Sequence, residues 1–151
     1  MVLGLGCLAG WGVLIMLTTD IGLDINPGVT LRPGPVEGVA TAHVSDAERR
    51  FDLTWDRYMR LYHTAAAVRA RVPGGIKILD VGGFDGALAL FLCEYAVDVI
   101  DPITTGGSGL EITAGEYEAV VSVDALEHVA PDRRADFLAE LSRVARRHLA
   151  R

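Results

Sequence analysis

Residues 78–86 read Ile-Leu-Asp-Val-Gly-Gly-Phe-Asp-Gly, and this stretch decides the fold of the chain. An apolar run that carries Asp80 leads into a turn with three glycines, and the apolar segment 87–92 follows directly. The pattern predicts a buried strand, a tight turn and a helix, because glycine permits positive φ angles and a close approach of the backbone. A helix that begins after such a turn offers a cradle for a nucleotide-like ligand.

Two further apolar runs lie downstream, and each leads to a carboxylate. Residues 97–101 (Val-Asp-Val-Ile-Asp) predict a strand that ends on Asp101. Residues 119–123 predict another strand, which is followed by a polar cluster at 124–128. An abbreviated strand is predicted between them, at 109–113. Strands that alternate with helices predict an α/β fold with a parallel sheet covered on both faces.

Helical patterns flank these strands. A capping box starts at Ser45 and predicts a helix that runs to about Val72. Another helix is predicted from Gly86 to about Tyr95, and a last one from near Pro131. The side chains that helical spacing predicts to be buried in the first and last of these helices are Phe51, Trp55, Tyr58, Met59, Tyr62, Ala66, Phe137, Leu138, Leu141, Val144 and Ala145.

The glycine turn, Asp101 and the Leu-Glu-His-Val run at 126–129 occur in this order along the chain. Together they resemble the class I S-adenosylmethionine-dependent methyltransferases, in particular the small-molecule group that carries Leu-Glu-His-Val after its fourth strand. The resemblance implies a Rossmann-like three-layer sandwich in which this chain supplies strands 1 to 4 of a seven-stranded sheet. It also implies an enzyme that uses S-adenosyl-L-methionine to methylate a small-molecule acceptor.

The cofactor-binding residues that the resemblance implies are Asp80, Gly82, Gly83, Phe84, Gly86, Asp101, Pro102 and Asp124. Asp80 would meet the positively charged end of the cofactor, and Asp101 would accept both ribose hydroxyls. Phe84 stands where the family usually has a glycine, and the short segment 102–117 offers no match for the family's adenine contacts. A nicotinamide-dependent reductase is the lesser alternative, because residues 82–86 do not read Gly-x-Gly-x-x-Gly.

The polar cluster after the last predicted strand would face the methyl acceptor. His128 is a candidate base there, and Asp124 is a second catalytic candidate. No metal is expected, although a divalent ion at Asp124, Glu127 and His128 is an alternative, as is a structural role for His128. Relatives place a helix over the cofactor cleft, so contact of Tyr58 or Tyr62 with the ligand is an alternative to burial of these rings in the core.

Three segments are predicted along the chain. Residues 1–19 form an apolar segment without charged side chains, which is either a short membrane anchor or an extension of the domain. Residues 20–44 contain several prolines and glycines and predict a linker. Residues 45–151 predict a partial methyltransferase domain.

Composition narrows the class of protein. A chain of 151 residues has room for one folded domain, and a net charge of −6 argues against nucleic acid as a partner. Two cysteines do not suggest a disulfide framework, and Cys93 is predicted to be a small buried side chain. We therefore expect a cytoplasmic protein with a small-molecule substrate. A membrane tether through residues 2–19 is the alternative.

The resembled family continues beyond its fourth strand, whereas this sequence ends at Arg151. The strand at 119–123 is then expected to have an unpaired apolar edge, which favours self-association. A second hypothesis for function follows from this expectation: a cofactor-binding or vestigial module without turnover.

Overall fold

The computed structural model describes residues 23–107, 112 and 116–146. These residues form a mixed α/β fold on one open sheet of six strands. The strands and α-helices are β1 (Leu23–Asn26), β2 (Val29–Pro33), β3 (Ala40–Val44), α1 (Trp55–Arg69), β4 (Lys77–Val81), β5 (Ala96–Ile100), β6 (Ala119–Val121) and α2 (Arg134–Val144). The strand order across the sheet is β1-β2-β3-β5-β4-β6.

Three of the strands form the parallel part of the sheet that the sequence predicts. β4 lies in the middle with β5 and β6 parallel on either side, so that Asp80 pairs with Val99 and Val121. The strands predicted at 76–81, 97–101 and 119–123 are confirmed to within two residues at each end. Because parallel strands end at the same edge, the segments that follow β4, β5 and β6 meet there.

Residues 23–44 contain three antiparallel strands, so the prediction of a linker over 20–44 is wrong for this part of the chain. β3 pairs with β5 through Ala40 and Val99, and β2 and β1 extend the sheet beyond β3. Apolar and polar residues alternate along β2 and β3, as in strands with one buried face, and Val29 lies in the core. The prolines and glycines stand at strand ends and in turns, where they interrupt no hydrogen-bond ladder.

The helix predicted from Ser45 to Val72 is interrupted. A 3₁₀ segment at Ala47–Asp52 comes first, and it is capped by Asp46, whose Oδ1 accepts the N–H of Glu48 at 3.0 Å. The backbone is then extended at Leu53, and α1 begins two residues later. Because of this break, the side chains that α1 turns toward the core are not the ones that an uninterrupted helix from Ser45 predicts.

The predicted aromatic stripe is therefore not the buried face of α1. That face consists of Leu61, Ala65 and Val68. The aromatic row consists of Phe51, Trp55, Tyr58 and Tyr62, and the rings of the other three each stack on Tyr58 at centroid distances of 5.9 to 6.2 Å. Trp55 is 74% exposed, whereas Tyr58 is half-buried and meets Phe91 edge-on. The buried face of α1 is therefore aliphatic, whereas the rings of Phe51, Trp55 and Tyr62 remain exposed.

The segment after the glycine turn is a 3₁₀ helix at Ala87–Phe91 rather than the longer α-helix predicted from Gly86. All five of its side chains are buried, and the N–H of Ala89 donates to the carbonyl of Gly86 in the 3₁₀ pattern. A segment that is apolar all round fits between the sheet and α1, where no side of it meets water. Cys93 follows this segment and is exposed, so the prediction of a buried cysteine is wrong.

Two apolar clusters lie on opposite faces of the sheet. The 87–92 segment and α1 pack on the face that carries Ile78 and Val97. On the other face, α2 packs against Leu79 and Val81. A 3₁₀ turn at Pro131–Arg133 precedes α2, which buries Val144 as predicted and leaves Leu138 half exposed, against the prediction.

A buried polar network ties the antiparallel strands to the parallel ones. Asp98 on β5 is 1% exposed and accepts hydrogen bonds from the hydroxyls of Thr41 on β3 at 2.7 Å and Tyr117 at 2.9 Å. The Nζ atom of Lys77 on β4 lies 3.2 Å from its Oδ2. Burial, followed by the proximity of Asp98, raises the pKa of the Tyr117 hydroxyl. The Tyr117 hydroxyl therefore remains a donor to this carboxylate at neutral pH.

Two predictions fall outside the part of the chain that is described. Residues 1–19 are one of them, and the other is the strand at 109–113, of which Ile112 alone is described, as a buried side chain. No helix within residues 23–107, 112 and 116–146 is long and apolar enough to cross a membrane. Among the described residues, β6 has one strand partner, which is β4. Two residues before β6, Tyr117 forms a single parallel bridge with Ala145.

Candidate functional site

A cavity of about 550 Å³ lies at the edge of the sheet where β4, β5 and β6 end. Its volume is in the usual range for sites that bind small molecules. The predicted site residues that line it are Asp80, Gly82, Gly83, Phe84, Asp101, Pro102, Asp124 and His128. The apolar part of the wall is formed by side chains that include Leu61, Leu88, Ile100, Ile103, Val123, Val129 and Phe137. The structure thus brings together residues that are far apart in the sequence.

Asp80 is the most unusual group in the wall of this cavity. It is 2% exposed, and its Oδ1 is a buried oxygen without a hydrogen-bond partner among the described residues. Burial raises the pKa of this carboxyl to about 7, and the nearby carboxylates of Asp85 and Asp101 add to the rise, while Arg57 opposes it. A buried oxygen without a donor is costly, so a ligand that brings a donor or a positive charge gains binding energy there.

The glycine turn brings its backbone directly over this carboxylate. A Cβ at Gly83 would overlap Oδ2 of Asp80, so position 83 has no room for a side chain. Gly82 has a φ of +79°, and a Cβ there would lie 2.6 Å from Cβ of Ala125. Both glycines are therefore required by the space around them and, at Gly82, also by the backbone angle.

Gly86 is the one predicted cofactor-binding residue that does not line the cavity. It has a φ of +73° and lies against Val29, Leu31 and Ala42 of the antiparallel strands. A Cβ there would lie 3.0 Å from Cδ2 of Leu31. In this structure Gly86 therefore joins the turn to β2 and β3 rather than facing the cavity.

Phe84 has a φ of +45°, a value that few residues other than glycine adopt, and its ring is 40% exposed. Its carbonyl accepts a hydrogen bond from Oγ1 of Thr104 at 2.6 Å. The hydroxyl of Thr104 thus links the turn to the loop that follows β5. The ring itself lines the cavity, at the position where the resembled family usually has glycine.

Asp101 organises the loop that follows β5. Its Oδ1 accepts the N–H of Ile103 at 2.8 Å, the N–H of Thr104 at 3.1 Å and the Thr104 hydroxyl at 3.4 Å. These bonds all go to the same oxygen. The two-point contact with both ribose hydroxyls that the resemblance implies would therefore have to share Oδ1 with the loop, whereas Oδ2 takes no part in these three bonds.

Asp85 was missed in the sequence because its partner lies on a different element. It is 5% exposed, its Oδ1 accepts the N–H of Ala87 at 3.0 Å, and its carboxylate receives both terminal nitrogens of Arg57 from α1. This bidentate pair holds α1 against the glycine turn. Arg57 also lines the cavity. A helix over the cleft was expected from the resemblance, but nothing in the sequence singled out Arg57.

Asp124 and His128 lie on the opposite side of the cavity, after β6. Asp124 has a φ of +59°, and its Oδ2 lies 3.0 Å from Nε of Arg60, again from α1. Arg57 and Arg60 of α1 therefore pair with the loops that follow β4 and β6, respectively. The imidazole of His128 is exposed and lines the cavity, whereas Glu127 is exposed outside its lining.

The described residues contain no group of three His, Cys, Asp or Glu side chains that could hold a metal ion. The side chains of Asp124, Glu127 and His128 therefore do not converge on one point, because Asp124 turns toward Arg60 and Glu127 lies away from the cavity. The metal alternative has no support in this arrangement. The rings of Tyr58 and Tyr62 are likewise not part of the cavity lining.

Neither a protein-family model nor a curated protein was found to match this chain. Function is therefore inferred from the chemistry of the cavity.

Proposed function

We propose that the cavity binds S-adenosyl-L-methionine and that the protein transfers its methyl group to a small-molecule acceptor. The observation that carries the proposal is Asp80, which lines a cavity of suitable size and whose buried Oδ1 has no hydrogen-bond donor among the described residues. A positively charged ligand group next to it supplies the missing donor and favours the ionised carboxylate. The Rossmann-like three-layer sandwich belongs to the same proposal, and it rests on the parallel order β5-β4-β6.

The other lining residues would each contact a different part of the ligand. The backbone of Gly82 and Gly83 allows close approach of the ligand above Asp80. Asp101 would hold a ribose hydroxyl at the end of β5, with Pro102 and Ile103 as apolar contacts for the base. Arg57 and Leu61 of α1 would cover the ligand from the other side, because both line the cavity.

When bound, the cofactor supplies an electrophilic methyl group on a sulfonium sulfur. The chain's own residues position the acceptor and take up its proton. His128 is the candidate base, because its imidazole lines the cavity and stays accessible. Asp124 is paired with Arg60, so we assign to it the positioning of the 124–128 loop rather than removal of a proton.

The second candidate is a module that binds the cofactor without turnover. It is favoured by the side of the cavity next to β6, where the described residues provide only α2 and the 124–129 loop as walls for an acceptor. The two candidates share the cofactor site and differ in catalysis. The lesser alternative, a nicotinamide-dependent reductase, differs already in the ligand.

Calorimetric titration of the whole chain with S-adenosylmethionine, S-adenosylhomocysteine and NADH tests the ligand. We expect both adenosyl compounds to bind and NADH to leave no signal. Asp101→Asn should weaken binding at least about tenfold, because it removes a charged acceptor. Asp132→Asn, on an exposed turn outside the cavity lining, is the matched control and should bind as the unmodified chain does.

Methyl transfer from radiolabelled S-adenosylmethionine to a panel of small nucleophiles then separates an enzyme from a binding module. Transfer that His128→Gln reduces by a hundredfold or more, with unchanged cofactor affinity, supports the enzyme. Cofactor binding without transfer supports the module. Absence of binding by either adenosyl compound to the folded chain would overturn the proposal.

A further inference from the structure

A second cavity of about 540 Å³ lies on the face of the sheet that α2 covers. Its walls are apolar side chains of β4, β6 and α2, among them Leu79, Val120, Leu141 and Val144. We call it the α2 groove. Val120 and Leu141 are only partly buried, so apolar surface remains open there. None of the predicted site residues lies in it.

The α2 groove adjoins the cavity at the strand ends. Val81, Val129 and Phe137 line both, so the two spaces meet at these side chains. The polar groups of the first cavity, among them Asp124 and His128, lie on one side of this junction. On the other side the walls become apolar. A molecule that occupied both spaces would need a polar end and an apolar body.

The charged residues of the α2 groove do not change this character. Arg133 is paired with Asp136, with its Nε 3.3 Å from Oδ2, and Glu140 is paired with Arg143. The three that line the groove, Arg133, Asp136 and Glu140, therefore have partners on α2 itself. They do not require a charged ligand, so the groove selects an occupant by shape and apolar contact.

We propose that the α2 groove holds an unbranched apolar chain of the methyl acceptor, whose nucleophilic head lies beside His128. The inference rests on the proposed function for its catalytic end and on the shared wall of the two neighbouring cavities for its apolar end. The acceptor class is then a compound with a small hydroxyl-bearing head and a straight alkyl tail. A compact polar metabolite would leave the groove and its apolar walls in water, which is unfavourable.

The test uses the whole chain and phenols with a para alkyl chain, from ethyl through butyl and hexyl to octyl. Calorimetry measures their affinity in the presence of saturating S-adenosylhomocysteine and in its absence. Each methylene that enters the groove should raise the affinity about fourfold, until the groove is filled. The predicted observation is a steady rise along the series rather than a uniform affinity.

Two variants locate the chain in the groove. Leu141→Gln places a polar group in its wall and should remove most of the dependence on chain length while the affinity for ethylphenol stays the same. Leu138→Gln is the matched control, because Leu138 lies on the same helix and lines neither cavity. Val120→Gln on β6 tests the opposite wall, in case the first variant disturbs α2. Circular dichroism shows whether each variant is folded.

A uniform affinity along the series would overturn the inference, and so would a dependence on chain length that both wall variants leave intact. A second copy of the chain over the groove is another outcome that overturns it, and sedimentation at two concentrations detects it. Failure of the proposed function is separate. Chain-length dependence without adenosyl binding would leave the groove an apolar-chain site and would reject the methyltransferase.

Discussion

Asp80 and Asp98 lie on neighbouring parallel strands, and both are almost completely buried. Asp98 lies inside the sheet with three donors around it, whereas Oδ1 of Asp80 has none in the part of the chain that the structure describes. Since buried polar groups are normally hydrogen-bonded, the satisfied aspartate is part of the architecture. Under the proposed function, the unsatisfied one is the group that meets the ligand. Two equally buried aspartates therefore differ in their partners, and this difference, rather than burial, makes Asp80 the candidate binding residue.

We expect the largest effect on stability from removal of Asp98, the aspartate whose hydrogen bonds are satisfied. Asp98→Ala leaves the hydroxyls of Thr41 and Tyr117 without their acceptor, and we expect the free energy of unfolding to fall by about 3–5 kcal/mol. Urea denaturation measures it. Asp46→Ala removes an exposed cap instead and should cost only about 1 kcal/mol. Equal losses for the two variants would contradict the role assigned to Asp98.

The raised pKa of Asp80 is tested by the pH dependence of the free energy of unfolding. The pKa of Asp80 is raised from 3.8 to about 7 by burial, so the folded state holds a proton that the unfolded state has already released. Stability from this group is present below about pH 4 and is lost as the pH rises through 7, by at most on the order of 4 kcal/mol. Asp80→Asn should remove this loss and be more stable than the unmodified chain at pH 8. Parallel stability curves for the two proteins between pH 4 and 8 would refute the pKa shift.

The space above Asp80 gives the third prediction. Gly83→Ala introduces a Cβ that overlaps the carboxylate, so we expect a loss of about 1–3 kcal/mol in the free energy of unfolding together with loss of adenosyl binding. Gly74→Ala is the matched control, because the nearest atom to its Cβ, Cγ of Glu94, is 3.8 Å away. Denaturation and calorimetry on both variants check it. A Gly83→Ala protein with unchanged stability would mean that the turn does not lie tightly on Asp80.

We expect the smallest effect in the number of protons released when a ligand binds beside Asp80. A cationic ligand beside Asp80 lowers its pKa, so binding at pH 6 should release up to about one proton. Calorimetry in two buffers of different ionisation enthalpy measures the proton count. Asp80→Asn should release none, and a variant of the satisfied aspartate, Asp98→Asn, should behave as the unmodified chain does if it folds. Release that persists in Asp80→Asn would place the titrating group elsewhere.

Local patterns in the sequence predicted the parallel strands and most of the cavity. The apolar runs before Asp80, Asp101 and Asp124 are long enough to identify strands, and parallel strands necessarily bring their ends together. The antiparallel strands at 23–44 were not predicted, because their prolines and glycines suggest a linker and their partner, β5, is distant in the sequence. The alternation of apolar and polar residues along β2 and β3 is a local sign of strands, but their prolines and glycines outweighed it, and the pairing of β3 with β5 leaves no mark in a local pattern.

The partners of Asp85 and Asp124 could not be predicted from local sequence patterns either. Arg57 and Arg60 find Asp85 and Asp124 only because α1 lies over the strand ends. The interruption before α1 depends on packing too, so helical spacing assigned the aromatic row to the core although Trp55 is 74% exposed. Side chains whose roles depend on tertiary neighbours were therefore missed or misplaced, whereas those fixed by the turn were found.

The aromatic row has a practical consequence. Trp55 is the tryptophan of the described part of the chain, and it stacks on Tyr58 on the helix that Arg57 and Arg60 attach to both loops of the site. A shift of that helix would alter the edge-on contact between Tyr58 and Phe91 and the surroundings of the rings that stack on Tyr58, and with them the emission of the indole. The molecule thus carries an intrinsic fluorophore at the roof of its cleft, suited to following ligand entry in a stopped-flow instrument without any dye.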